Sequence, residues 1–305
     1  MSAKHVIVVG SANVDLVVAV PRHPAGGETV LGGDLVRSPG GKGANQAVSA
    51  ARTGGVRTTF VAAVGRDDAG DLLLEALEGA GVRTGAVVRI GAPTGTALIM
   101  VDPSGENAIV VAPGANALLQ VRGEAAAAVA GGDVVLAQLE VPLEAVLDAA
   151  RARRPGSLMV LNAAPSRPLP DELWGMLDVL VVNEHEARGM VGDLGATAER
   201  ASAEDLAARL LQAVPAVVVT LGAAGCLVAE RGTDAHRIPA PRVEVVDTTG
   251  AGDAFCGVLA AGLAEGSDLT TAAWRAVLAA ARVVTRHGAQ DAVPARDELD
   301  AAQQT

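Results

Sequence analysis

The sequence predicts an α/β protein built on a mostly parallel sheet, and three observations lead there. Short apolar runs recur without polar alternation: His5–Gly10, Val134–Leu139, Leu158–Leu161, Val179–Val182 and Val217–Thr220. Strands buried on both faces look like this, as they do in parallel sheets covered by helices. Stretches with helical period separate them, among them Ala44–Thr53, Asp71–Ala80 and Thr271–Thr285. The chain has 305 residues, is 50% hydrophobic and has a mean hydropathy of +0.34. That suits one large α/β domain or two small ones with ample core, and it argues against disorder.

Composition narrows the function classes. Aromatics are 1% with no Tyr, so the core is Ala, Val and Leu and base-stacking platforms are lacking. A net charge of −11 argues against nucleic-acid or anionic-membrane partners. Lysine occurs only as Lys4 and Lys42, so positive charge at a phosphate site must come mostly from Arg, backbone N–H or metal. Cys226 and Cys256 lie on apolar segments and read as core thiols. No signal peptide is expected. The uncharged run 212–229 is broken by Pro215, Gly222 and Gly225 and reads as strand–turn–strand. A soluble, cytoplasmic protein is the expectation.

From the N-terminus, the first strand leads into Ser11-Ala12-Asn13-Val14-Asp15. A carboxylate accepts two hydroxyl protons and an amide both donates and accepts, which suits vicinal diols; a plain polar turn is the other reading. Leu16–Val20 alternates weakly and ends at Pro21. Thr29–Leu31, Asp34–Val36, Val87–Ile90, Thr96–Asp102 and Asn107–Ala112 are further short strand candidates. Their Gly-rich spacing suggests a small antiparallel layer, with a hairpin at Pro103-Ser104-Gly105. Gly40-Gly41-Lys42-Gly43 precedes the first helix, and its glycines allow backbone to approach a ligand closely. It is not a Walker A loop, which needs G-x-x-x-x-G-K-[ST]. Lys42 reads either as a substrate neighbour or as a solvated loop charge.

Thr59–Val64 is a strand, followed by a structural G-x-D-x-x-G loop and a helix with Gly81 at its C′ position. Glu140 stands at the end of a strand, where open α/β sheets bind ligands, or else beside the helix that Pro142 begins. Asn183-Glu184-His185-Glu186 follows another strand. Its carboxylates suit Mg²⁺, a hard ion that keeps several waters, although N-x-x-E alone is most often a helix start. His185 reads as an exposed helix residue. Thr220-Leu221-Gly222-Ala223-Ala224-Gly225 is a glycine turn after a strand.

The most informative stretch runs from Val243 to Phe255. Val243, Val245 and Val246 predict a short buried strand, Gly250 and Gly252 break it, and a helix begins. The N–H groups of Ala251, Gly252 and Asp253 then point out of a helix N-terminus, which favours an anion. A carboxylate repels phosphate, so Asp253 makes sense there as the base for a hydroxyl that attacks phosphorus. The local alternative is a helix N-cap.

Asp247-Thr248-Thr249-Gly250-Ala251-Gly252-Asp253-Ala254-Phe255 resembles the C-terminal signature of the PfkB carbohydrate kinases. Gly40-Gly41-Lys42-Gly43-Ala44-Asn45-Gln46-Ala47 resembles the family's other signature, in the form of its ribokinase-like branch. Similarity runs from Val6 to about Pro294. The resemblance implies a ribokinase-like three-layer α/β/α domain with a mostly parallel central sheet plus a small β-sheet lid. Residues 1–12, 36–86 and 113–305 would form the core, and 13–35 and 87–112 the lid, which also serves as a homodimer surface. It implies ATP-dependent phosphorylation of D-ribose at the 5-hydroxyl, with Asp253 as base and the N–H groups of Gly250, Ala251 and Gly252 as anion hole. By the same resemblance Asn13, Asp15, Gly40, Gly41, Lys42, Asn45 and Glu140 hold the pentose. Asn183, Thr220, Gly222, Gly225 and Gly252 hold ATP, and Glu186 acts on Mg²⁺ through water. Asp247 and the carbonyls of Thr249, Val283, Arg286 and Gly288 ligate K⁺ or another monovalent cation. Ala292 and Asp291 depart from the Ser and Pro found in relatives at that loop.

Three alternatives stand beside this reading. One is a sister kinase for 2-deoxyribose, fructose or a nucleoside; the scarcity of aromatics near the sugar motifs disfavours a nucleoside, because a purine wants a π surface. A catalytically silent sugar sensor would be expected to lose Asp253 or the glycine turn, and both are intact. A dinucleotide-binding dehydrogenase needs G-x-G-x-x-G after the first strand, where this chain has G-S-A-N-V-D.

Overall fold

The computed structural model describes residues 4–195, 198 and 200–302. The chain begins with strands β1 (His5–Val9), β2 (Asn13–Ala19) and β3 (Leu35–Gly40), then α1 (Lys42–Arg52), β4 (Arg57–Gly65) and α2 (Asp68–Gly79). Strands β5 (Arg83–Ile90), β6 (Gly95–Val101) and β7 (Asn107–Ala112) follow, then α3 (Glu124–Ala130), β8 (Val134–Gln138), α4 (Leu143–Ala152) and β9 (Leu158–Asn162). Next come α5 (Asp171–Trp174), β10 (Val179–Asn183), α6 (Glu184–Asp193), α7 (Ala203–Leu210), β11 (Ala216–Thr220), β12 (Cys226–Glu230) and β13 (His236–Ile238). Helices α8 (Ala251–Glu265), α9 (Leu269–Val283) and α10 (Arg296–Ala302) complete it.

The main sheet has the order β13-β12-β11-β10-β9-β8-β1-β4-β5 and is parallel from β11 to β5. Strands β12 and β13 are antiparallel additions at one edge. Side chains alternate across a strand. Val6 and Val8 of β1 therefore enter the core under α1, α8 and α9, while Ile7 and Val9 enter the core on the opposite face. Two apolar layers on one sheet make the three-layer α/β/α arrangement. Phe60, fully buried in β4, and Phe255 in α8 are the aromatics of the first layer among the described residues.

The second sheet, ordered β3-β2-β6-β7, stands on the C-terminal side of β1. It leaves Leu35, Val36, Leu98, Ile109, Val110 and Val111 exposed. The small sheet is mixed and not antiparallel throughout, since β2 and β6 pair in parallel, and three further expectations need correction here. Val87–Ile90 belongs to β5, which pairs in parallel with β4 in the main sheet and not in the small one. The boundary at residue 35 falls inside a strand, because β3 runs on to Gly40 opposite Asn13. Thr29–Leu31 forms no strand.

A further difference lies before α8. Residues 243–246 form no strand; Val245 is 58% and Val246 46% exposed. Val243 and Val245 serve a cavity wall, as described next, and not a sheet.

Candidate active site

Asp253 occupies the third position of α8 and is half-buried. The N-cap of that helix is Gly250, held at φ 76°, a left-handed conformation that favours glycine. Asp253 is therefore not the cap. Its carboxylate is received by α1 instead: Asn45 Nδ2 donates to Oδ2 at 2.9 Å and Gln46 Nε2 donates to Oδ1 at 3.0 Å. Burial raises the pKa of this carboxyl above its ordinary value, and the Lys42 charge and both amide donors oppose that rise. The Gly252 and Asp253 N–H groups lie in the first helical turn, where no intrahelical carbonyl reaches them. The Ala251 N–H already bonds to the Thr248 carbonyl at 3.3 Å.

Asp253 looks into a cavity of about 250 Å³ lined in part by Lys42, Asn162, Asn183, Glu186, Thr220 and Gly252. A second cavity of about 560 Å³ adjoins it through Thr220, Thr248 and Gly252. Val243, Val245, Phe255, Val277, Ala280 and Ala281 give this one an apolar wall. A polar chamber ending on a carboxylate, joined to an apolar slot, suits a ligand with a flat apolar end and a charged end. Gly222 and Gly225 line the slot. Gly225, at φ 92°, lies where a Cβ would stand 1.9 Å from the Ile238 carbonyl. The Thr220 hydroxyl bonds to the Val182 carbonyl at 3.4 Å.

On the other side of Asp253 stand the residues expected to hold a sugar. Asn13 and Asp15 are on β2, and Gly40 faces Asn13 across the ladder. A Cβ on Gly40 would lie 2.2 Å from Asp15 Oδ2, and one on Gly41 2.7 Å from the Asn13 backbone nitrogen. The glycines are needed because the loop presses on the strand that carries these polar groups. Asp15 is pushed up to about 6, first by burial and then by the charges of Glu140 and Asp253. Glu140 accepts from the Ser11 hydroxyl at 2.5 Å and from the Lys42 backbone N–H at 3.3 Å. The Lys42 ammonium faces Asp253, Glu140 and Glu186; burial works against its charge, yet the three carboxylates hold its proton more tightly than usual. It is not a solvated loop charge.

Asn183 and Glu186 form a capping box on α6. The Asn183 side chain accepts from the Glu186 N–H at 2.8 Å, and Glu186 Oε2 accepts from the Asn183 N–H at 2.9 Å. The motif is thus a helix start that also lines the polar chamber. Burial raises the Glu186 pKa, opposed by the Asn183 N–H and Lys42. His185 is exposed.

Asp247 ties two loops together. Its Oδ1 accepts from the Thr249 N–H at 2.8 Å and its Oδ2 from the Gly288 N–H at 2.9 Å. These bonds outweigh burial and hold its carboxyl below the usual range. Arg286 is exposed, and the Val283 carbonyl accepts from the Arg286 N–H at 3.1 Å. The loops touch closely: a Cβ on Gly250 would meet Ala289 Cα at 2.9 Å.

Four polar residues of the site were not read from the sequence as functional. Asn116 donates to Asn13 Oδ1 at 2.7 Å and grips both backbone groups of Ala12. Gln46, Gln138 and Gln290 surround the amides that hold Asp253. Gln46 lay in plain view inside the glycine motif; the other three carry no local pattern.

Comparison with known proteins shows the family and the fold. Residues 3–296 match the profile described as pfkB family carbohydrate kinase. The chain is 37% identical over 299 residues to the ribokinase of Haemophilus influenzae, covering 97% of each. It is similar to the crystal structure of ribokinase from Thermotoga maritima, with a TM-score of 0.91, 36% identity and 100% coverage of both chains. It is also similar to Arabidopsis thaliana ribokinase complexed with ribose and ATP, with a TM-score of 0.90, 31% identity and full coverage of both.

Proposed function

The chain belongs to the pfkB family of carbohydrate kinases, and on that premise we propose that it transfers the γ-phosphoryl group of ATP to the 5-hydroxyl of D-ribose. The products are D-ribose 5-phosphate and ADP. The observation that carries this reading is Asp253, held by amide donors on both oxygens where the polar chamber meets the sugar-side residues. The relative from Arabidopsis thaliana, complexed with ribose and ATP, supports the choice of substrates.

In this reading Asn13, Asp15, Gly40, Gly41, Lys42, Asn45 and Glu140 hold the pentose. The adenine enters the apolar slot, and the phosphates pass Asn183, Thr220, Gly222, Gly225 and Gly252 toward Asp253. The O5–H proton goes to Asp253. The bond from O5 to phosphorus forms as the bond to the β–γ bridging oxygen breaks, and ADP leaves with that electron pair. The N–H groups of Gly250 and Gly252, and that of Ala251 once it releases the Thr248 carbonyl, would face the charge that develops on the phosphoryl oxygens.

Glu186 fits Mg²⁺. One of its carboxylate oxygens is committed to the capping box and the residue lines the phosphate chamber. Among the described residues no cluster of three or more His, Cys, Asp or Glu side chains could hold a metal alone. That suits an ion carried chiefly by nucleotide phosphates and water. When bound with ATP it neutralises phosphate charge. The loops joined by Asp247 offer one carboxylate and the carbonyls of Thr249, Val283, Arg286 and Gly288, hard oxygens that fit K⁺. The small sheet would cover the sugar, and its exposed Leu98, Ile109 and Val110 would meet a second copy in a homodimer. A cytoplasmic setting goes with two buried, unpaired cysteines.

A coupled ADP-release assay over D-ribose, 2-deoxyribose, fructose and adenosine, with and without K⁺, tests the proposal. Turnover highest on ribose and raised by K⁺ is expected. Preference for another substrate would overturn the ribose assignment. Ribose binding without turnover would restore the sensor reading.

A further inference from the structure

An ionised carboxylate can only accept hydrogen bonds. Both amides against Asp253 must therefore present their NH₂ ends. A half-turn of either amide would put oxygen where nitrogen was at little steric cost, so shape alone does not choose between the two. The choice is made one residue further out. Asn45 Oδ1 accepts from Gln290 Nε2 at 3.0 Å, which leaves Nδ2 for Asp253. Gln46 Oε1 accepts from Gln138 Nε2 at 2.5 Å, which leaves Nε2 for Asp253 Oδ1 and for Asn162 Oδ1, each at 3.0 Å.

The outer glutamines are held away from water. Gln138 and Gln46 are fully buried, and Asn45 and Gln290 are 7% and 6% exposed. The orientation of Gln138 is maintained against a penalty. Its Oε1 is buried with no hydrogen-bond partner among the described residues, the kind of orphan that native structures rarely keep without a reason. Turning the amide would place that oxygen against Gln46 Oε1, acceptor to acceptor.

We propose that Gln290 and Gln138 are positioning residues that set the donor polarity of Asn45 and Gln46, and so keep Asp253 surrounded by donors. Gln290 does this from the loop after α9 and Gln138 from the end of β8, on opposite flanks of the carboxylate. The inference rests on the reading of Asp253 as base. Other charged or titratable groups that face Asp253 are Lys42 on α1, Glu140 after β8, Asp15 on β2, Glu186 on α6 and Cys256 on α8. None of them touches the two outer amides through a hydrogen bond given for the described residues.

The test compares Gln290→Glu with Gln290→Leu, and Gln138→Glu with Gln138→Met. kcat and both KM values are followed from pH 5 to 9 at saturating K⁺, with thermal melting to check folding. Glu replaces the outward donor by an acceptor, so the inner amide turns its oxygen toward Asp253. The acidic limb of kcat is expected to move up by about one pH unit in the Glu variants. It is expected to move less in the Leu and Met variants, which add no buried charge. On the acid side of that limb kcat falls about tenfold in the Glu variants and recovers as the pH rises through it, while the KM for ATP stays near wild type. A limb that does not move in a folded variant, or a Leu variant worse than Glu at all pH values, overturns the proposal and leaves the glutamines as packing. Should both Glu variants fail to fold, an unmoved limb in Gln290→Leu does the same. A wild-type protein that phosphorylates no sugar would instead overturn the kinase reading on which the inference rests.

Discussion

Gly257 in α8 lies so close to Gln46 in α1 that a Cβ on it would stand 2.4 Å from the Gln46 carbonyl oxygen. The same atom would meet Ser49 Cβ at 2.7 Å and the Ala50 nitrogen at 2.9 Å. Glycine inside a helix costs about 1 kcal/mol relative to alanine. Here it permits the approach that brings Asn45 and Gln46 onto Asp253 one turn earlier in α8. Gly257→Ala must push the two helices apart. The expected result is a stability loss of about 1–3 kcal/mol by thermal or urea unfolding. A fall in kcat of about 10–100-fold should accompany it, because the base is displaced from its donors.

Asp253→Asn removes the proton acceptor but keeps size and shape. We expect kcat to fall by about 10²–10⁴-fold with the KM for sugar and ATP changed little. Steady-state kinetics on the purified variant decides; near-normal turnover would refute the role of Asp253 as base.

Asp15 links sugar binding to pH. With its pKa pushed up to about 6, it becomes protonated as the pH falls through that value and gives up part of its accepting capacity. The sugar KM is expected to rise on the acid side of pH 6, and Asp15→Asn should flatten that dependence. The sign for stability is the reverse. The folded chain holds this proton where the unfolded chain, titrating near 3.8, has released it. Asp15 therefore favours folding at low pH, and the contribution is lost as pH rises through about 6. Chemical unfolding of wild type and Asp15→Asn at several pH values measures it.

Lys42 is the positive charge set among Asp253, Glu140 and Glu186. Lys42→Met leaves three carboxylates facing each other. We predict that the KM for ATP rises, because the γ-phosphate meets uncompensated negative charge, and that kcat/KM falls by about 10–100-fold. The loss should be larger at low ionic strength, which kinetics at two salt concentrations would detect.

Ala280 lines the apolar slot opposite Val243 and Val245. Ala280→Phe fills part of that volume. The expected outcome is a higher KM for ATP with the sugar KM unchanged, read by varying each substrate in turn. An equal effect on both would refute the assignment of this slot to the nucleotide.

The parallel strands were legible because each is an unbroken apolar run, and the glycine loops because no other residue takes Gly41 to φ 90° or Gly250 to φ 76° without strain. Val243, Val245 and Val246 misled for a physical reason. An apolar cavity wall and a buried strand need the same residues, and only the fold says which side is empty. Val87–Ile90 misled because a β-branched run does not say which sheet it joins. Gln138, Gln290 and Asn116 were invisible, since a buried amide has the same letters as a surface one. Their roles come from partners at sequence separations of 92, 245 and 103 residues.

The clamp on Asp253 also has a consequence for biosynthesis. Asn45 leaves the ribosome early, and Asp253 follows 208 residues later. Gln290, which orients Asn45, is later still. Strand β1 can pair with β4 soon after synthesis, but β8 must arrive before its other edge is filled. A nascent chain can therefore build most of its sheet while the carboxylate has not yet been made. If Asp253 is the base, as proposed, phosphoryl transfer begins only when α8 docks on α1 and the last loop closes behind Asn45, and an unfinished chain would not spend ATP.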